Sequence, residues 1–144
     1  MTVNQLSVFV ENKPGRLSEI TSILQQNSVD IRALSVADTT HFGILRLIVD
    51  KPTEAHAALK DAGFTVSLTK VIAIGVSDRP GGLAEAMVAL SDGNISVEYM
   101  YAFISREEKT AYVILRVDDI EKAIEVIRQN NIPLLTESEI INGK

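Results

Sequence analysis

Two short turns of the chain, Asn12-Lys13-Pro14-Gly15-Arg16-Leu17 and Asp78-Arg79-Pro80-Gly81-Gly82-Leu83, stand 66 residues apart and share the pattern Asn or Asp, a cation, Pro, Gly, any residue, Leu. Each lies between a stretch of alternating apolar residues, which reads as a strand, and apolar residues at helical spacing. A chain that passes through Pro-Gly into a helix presents the first backbone N–H groups of that helix, which lack partners within it, at the positive end of its dipole. Glycine at this point lets a ligand approach the backbone closely. The chemistry open to such a turn is anion binding, and a carboxylate suits it. Asn12 or Asp78 adds a side-chain oxygen for an ammonium group on the same ligand, so the two features together would read a free amino acid. Taken alone, the same Asn and Asp are better explained as N-caps of a tight turn, since capping is far commoner than ligand binding; the doubling of the turn within a repeated frame reverses that preference.

The turns sit in a frame that occurs twice. At the same spacing of 66, Glu19, Leu24, Val29 and Ile31 meet Glu85, Leu90, Ile95 and Val97. The spacing then becomes 68, with Leu47, Val49, Asp50, Ala55 and Leu59 falling on Leu115, Val117, Asp118, Ala123 and Ile127. The two added residues lengthen a hairpin, where chain length costs little. Leu6, Val8 and Val10, like Ile72, Ile74 and Val76, alternate as a first strand with one buried face. Leu17, Ile20, Ile23 and Leu24, then Leu83, Ala86, Met87 and Leu90, recur as a first helix that stops near Asn27-Ser28 or Gly93-Asn94. Val29, Ile31 and Ala33, answered by Ile95, Val97, Tyr99, Tyr101 and Phe103, give a second strand; Leu45, Leu47 and Val49, answered by Val113, Leu115 and Val117, give a third. A second helix follows at Ala55 to Ala62 and at Ala123 to Asn130, and a closing strand at Phe64, Val66 and Leu68 or Ile132 and Leu134.

The order is βαββαβ, twice: an α+β chain of two tandem ferredoxin-like domains, 1–69 and 70–144, each an antiparallel four-stranded sheet with both helices on one face. Ile44, Ile48, Tyr112 and Ile114 hold outward positions of the third strands, and Leu34 breaks the alternation of the second. Apolar residues on both faces of an antiparallel sheet imply a cover, either the sister repeat or a second chain, and a homodimer is expected. Residues 137–144 lie outside the repeat and read as an extra strand or a loose tail.

Composition bounds the partners. Fourteen Lys and Arg against nineteen Asp and Glu give a net charge of −5, which disfavours a surface that tracks nucleic-acid phosphates. The chain has no Cys, so it has no disulfide, thiolate metal site or cysteine nucleophile, and a cytoplasmic setting fits. No export signal or apolar run of membrane-spanning length is read.

On the Asn12-x-Pro14-Gly15-x-Leu17 and Asp78-x-Pro80-Gly81-x-Leu83 turns, the Val29-Asp30-Ile31 and Ile95-Ser96-Val97 strand starts and the second helices at 50–63 and 118–131, the chain resembles two tandem ACT domains over about residues 1–136. These are small regulatory modules that bind amino acids. The resemblance implies a ligand held between neighbouring domains, by the turn of one and by a polar residue opening the second strand of another. Carried over residue by residue, that assigns Asn12, Gly15 and Leu17 with Asp30, and Asp78, Gly81 and Leu83 with Ser96, the intervening Lys13, Pro14, Arg16, Arg79, Pro80 and Gly82 completing the two turns. Many members carry Asn where Asp30 and Ser96 stand, which leaves the ammonium partner open. Asp78 would repel a carboxylate that Asn12 tolerates, so the first turn is favoured, while Gly82 in place of Arg16 is expected to open the second.

Other candidates are weaker. His41 and His56 have no companions at metal-ligand spacing, and no metal or other cofactor is expected. Glu19 and Glu85 complement helix dipoles, Asp118-Asp119 caps a helix, and Glu107-Glu108-Lys109 reads as a hairpin tip. No nucleophile elbow, phosphate loop or zinc-helix motif is present. An RNA-recognition domain would need aromatics and basic residues that Phe42 to Arg46 and Ala111 to Ile114 do not supply. An acylphosphatase-like enzyme would need an Arg-bearing anion loop with a positioned Asn, a pattern that Arg16 and Arg79 do not complete. The expected function is a non-catalytic, amino-acid-binding regulator that acts on a separate enzyme; the alternative is a protein-docking module with no small-molecule ligand.

Overall fold

The computed structural model describes residues 1–38, 41–105 and 108–142. Its elements are β1 (Val3–Glu11), α1 (Arg16–Gln26), β2 (Ile31–Asp38), β3 (Phe42–Val49), α2 (Pro52–Asp61), β4 (Thr65–Ser77), α3 (Gly82–Asp92), β5 (Val97–Ser105), β6 (Thr110–Val117), α4 (Ile120–Gln129), β7 (Leu134–Leu135) and α5 (Glu137–Ile141). They form two compact units, one of Asn4–Thr69 with the residues from Ile140 onward, the other of Lys70–Glu139 with Met1–Val3.

In the first unit the strands lie in the order β2-β3-β1-β4. Leu6, Val8, Leu45 and Leu47 point to one side, where they meet Ile20 and Leu24 of α1 and Ala55 and Leu59 of α2. In the second unit β4 lies between β6 and β7, and β5 flanks β6. Ile72, Ile74, Val113 and Leu115 there meet Ala86 and Leu90 of α3 and Ala123 and Ile127 of α4. The alternation at period two and the helical stripes thus produce the expected sheet with two helices on one face, in both repeats. Each fully buried Leu or Ile contributes roughly 1.5–3 kcal/mol through apolar surface withdrawn from water.

Several details depart from expectation. The closing strand of the first repeat and the opening strand of the second are a single 13-residue strand, β4. The second repeat closes on only two residues, Leu134 and Leu135, because Pro133 has no N–H for the ladder; its carbonyl accepts from Gly75 at 2.9 Å. A bulge between Ile31 and Ala33 inserts one residue into β2. Leu34 is thereby paired with Leu47 and returned to the helix-facing side, where it is 55% exposed beyond the helices. The same bulge recurs between Val97 and Tyr99, so Tyr99, Tyr101 and Phe103 share the face opposite to that of Val97. On the outer faces Ile48 and Ile114 are buried, while Ile44 and Tyr112 are half-buried. Residues 137–141 are a helix, neither strand nor tail: Ile140 is buried, and the Arg32 guanidinium donates to the Ile141 carbonyl at 2.9 Å. Among the described residues no helix is long and apolar enough to cross a membrane.

Candidate functional site

The first turn begins where β1 ends. The Asn12 N–H donates to the His41 carbonyl at 3.0 Å and the Lys13 N–H to the Glu11 carbonyl at 2.8 Å, which bends the chain away from the sheet. Gly15 then takes φ +90°, a left-handed conformation that glycine adopts without cost, and α1 starts at Arg16. The N-cap of α1 is Gly15, and no side chain accepts from the first turn. Asn12 is therefore not a cap. Its Nδ2 donates to the Asp38 carboxylate at 3.3 Å, at the far end of β2.

That contact defines a cleft of about 220 Å³ between the turn and β2, lined by Asn12, Arg16 and Leu17 on one side and by Val36, Asp38 and Gly43 on the other. Its floor is apolar and its rim is charged on both signs. Lys13 pairs with Glu11 at 2.9 Å, and Arg16 pairs with Glu19 at 3.0 Å and lies 3.9 Å from Glu11. The Lys13 hydrogen bond first, then the charges of Lys13 and Arg16, hold the Glu11 carboxyl below the ordinary glutamate value. Asn12, Lys13, Pro14, Gly15 and Leu17 are exposed and Arg16 half-buried, so the turn is open to a ligand. Asp38 and Val36 are functional candidates that the turn motif does not point to. The signal was the strand order: β1 and β2 run parallel on either side of β3, so their ends are level.

The second turn repeats the backbone. The Asp78 N–H donates to the Lys109 carbonyl at 2.9 Å, Gly81 has φ +89°, and α3 begins with no side-chain cap. Its side chains differ. Arg79 reaches Glu85 at 2.6 Å, so the paired glutamates Glu19 and Glu85 each hold a guanidinium, supplied from different turn positions. Gly82 does not open this turn. It is buried, and a Cβ there would collide with the Ser77 carbonyl oxygen, so the turn is the tighter of the two. Pro80, Gly81 and Leu83 are exposed; opposite Asp38 in the repeat stands Ile104, so the carboxylate has moved from the strand end to Asp78 itself.

Asp30 and Ser96 are at the other end of their strands from these turns. Asp30 pairs with Arg32 at 3.1 Å, and its N–H donates to Asp50 at 2.8 Å; the Ser96 N–H donates to Asp118 at 3.1 Å. Within its own unit neither is brought to the turn. Asp118 braces β5, and Asp119 alone caps α4, through the Lys122 N–H at 3.1 Å. Glu107 lies outside the described residues; Glu108 accepts from the Tyr112 hydroxyl. His41 and His56 join no metal-binding cluster among the described residues.

Comparison with known proteins identifies the frame in which these turns sit. The family model of the ACT domain pair matches residues 1–142. Protein BT0572 from Bacteroides thetaiotaomicron has a crystal structure that superposes with a TM-score of 0.93 at 40% identity, over 98% of this chain and 96% of that one. The ligand-free regulatory subunit of aspartate kinase from Thermus thermophilus superposes at 0.65 with 17% identity, over 90% and 93%. A putative C-terminal regulatory domain of aspartate kinase from Porphyromonas gingivalis superposes at 0.52 with 18% identity, over 90% and 94%. The last two share the fold. No curated protein matches the sequence.

Proposed function

The chain belongs to the ACT domain pair family, and from that premise we propose that it is a non-catalytic regulator that binds a free amino acid at the Asn12 turn and passes the signal to a separate enzyme. One observation carries the reading. The uncapped N-terminus of α1 and the Asp38 carboxylate face one cleft, so donors for a ligand carboxylate and an acceptor for its ammonium lie together. Leu17 and Val36 supply apolar contact for the ligand body. Asp30 and Ser96, which open β2 and β5, are the polar residues that a neighbouring domain would bring to a turn. The functional domains are 1–69 and 70–144, and the setting is cytoplasmic, without nucleic-acid or membrane partners. The structural likeness to regulatory parts of aspartate kinases supports an enzyme as the regulated partner.

The helix-facing edge of β2 leaves Leu34 at 55% and Val36 at 50% exposed, next to Leu17 at 45%. A strip of this kind on an edge strand supports a homodimer formed through it. It equally favours the second reading, a protein-docking module that needs no small ligand. A thermal-shift screen against the twenty amino acids separates the two. Ligand at a hundred times its Kd adds about 2.7 kcal/mol, a shift of several degrees for a chain of this size. A selective shift that Asn12→Ala removes supports the amino-acid reading; no shift with any amino acid, together with a stable co-purifying enzyme, supports docking.

A further inference from the structure

The cleft beside the Asn12 turn stands over one row of the sheet. Val10 of β1 pairs with Gly43 of β3, and Gly43 pairs with Asp38 of β2, so all three point to one side, the side that carries α1. Val36, two residues before Asp38 on the same strand, shares that side, and Leu17 of α1 completes the apolar lining. The second repeat has the same row in the same register: Val76 pairs with Ala111, and Ala111 with Ile104. There a methyl group and a branched chain stand where the first repeat has a hydrogen and a carboxylate.

Gly43 leaves this floor open. A Cβ on it would meet the Ala37 carbonyl oxygen at 3.2 Å and otherwise nothing nearer than Val36 Cγ1 at 3.9 Å, so no side chain lies over it. Ala111 in the equivalent place shows that the strand geometry admits a methyl group. A glycine inside a strand weakens it and marks where another group comes close to the backbone. The cleft above measures about 220 Å³ and its surface is mainly apolar; sites for drug-sized molecules run to roughly 300–1,000 Å³, so this one suits a compact body. The charges on its lining limit that body further. Glu11 is paired with Lys13, and Arg16 with Glu19, whereas the Asp38 carboxylate accepts from the neutral Asn12 amide. A ligand ammonium uses Asp38. A second charge, on the ligand side chain, would lie on Val10, Gly43, Val36 and Leu17 and pay for its lost hydration without a partner.

We propose that the Asn12 cleft selects an amino acid with a branched aliphatic side chain, valine, leucine or isoleucine, seated on Leu17 and Val36 over the open backbone of Gly43. The inference rests on the amino-acid reading of the Asn12 turn and adds the class of ligand to it. Gly43 sets the depth available to the side chain, and Leu17 and Val36 set its apolar character.

Calorimetric titration of the full chain with L-valine, L-leucine, L-isoleucine, L-threonine, L-phenylalanine, L-lysine and L-aspartate tests it. At least one of the three branched aliphatic amino acids is expected to bind tenfold or more tighter than each of the other four. Gly43→Ala, which copies the second repeat, should weaken that ligand at least tenfold. Val36→Thr, which keeps the shape and adds a hydroxyl, should weaken it several-fold. Should Gly43→Ala fail to fold, Val36→Thr and Leu17→Ala carry the test, since both residues are about half exposed within the chain. A charged, polar or aromatic amino acid that binds most tightly and is lost in Asn12→Ala overturns the ligand class and leaves the reading of the turn standing. An aliphatic ligand indifferent to Gly43→Ala, Val36→Thr and Leu17→Ala overturns the class as well, because it then binds elsewhere. No binding of any amino acid overturns the reading and the inference together.

Discussion

Glu11, Lys13 and Arg16 decide how the first turn meets a charged ligand. The two cations are already partly neutralised by Glu11 and Glu19, so an incoming carboxylate competes with those side chains. Glu11→Gln should therefore tighten binding of a carboxylate-bearing ligand several-fold, read by calorimetry. The Glu11 carboxyl is held below its ordinary value by Lys13 and Arg16. Its folded value lies below its unfolded one, so this pairing is complete above the ordinary glutamate range and is lost as the pH falls through the depressed folded value. An NMR titration of the Glu11 carboxyl carbon should show that lowered midpoint, and Lys13→Ala should move it back toward the ordinary value. The turn glycines separate conformation from space. Gly15→Ala places a side chain at φ +90° with nothing within 4 Å and should cost about 1–2 kcal/mol. Gly82→Ala drives a Cβ into the Ser77 carbonyl and should cost about 3 kcal/mol or more, through backbone displacement that urea unfolding would register.

At the scale of elements, much of the fold was legible because one-sided burial forces a period. Leu6, Val8 and Val10 alternate because β1 has one face on the helices, and Ile20 and Leu24 are four apart because α1 buries one stripe. The bulges were not legible. A single inserted residue at Arg32 or Glu98 reverses the facing of all that follows, and only pairing with β3 or β6 reveals it. That is why Leu34 read as an interruption and the three aromatics of β5 as a continuation of Val97. Asp50 and Asp118 fix these irregular starts by accepting the Asp30 and Ser96 N–H groups. Asp50→Ala should cost about 1 kcal/mol, measured by chemical denaturation, and raise hydrogen exchange at Asp30. The turn was legible as a Pro-Gly passage from strand to helix, but the Asp38 carboxylate beside it was not. It lies 26 residues away and meets Asn12 only because β1 and β2, on either side of β3, end at the same level.

For the whole molecule, duplication has supplied two copies of one frame with different contents. Asn12 with Asp38 stands in one copy, Asp78 with Ile104 in the other. Two non-equivalent units give a regulator two ways to be biased, and each ligand shifts the molecule only by its preference for one packing over another. If the exposed edge of β2 forms the dimer, Leu34→Glu should convert it to monomer in sedimentation experiments while leaving Tm nearly unchanged, since Leu34 already faces solvent within the chain. The most direct test of the central claim is calorimetric titration of the amino acid selected by the thermal-shift screen into the wild type, Asn12→Ala and Asp38→Asn. The account predicts saturable binding to the wild type and a loss of at least about tenfold, or 1.4 kcal/mol, in each variant at unchanged fold. Equal affinity in all three, or no binding of any of the twenty, would contradict it.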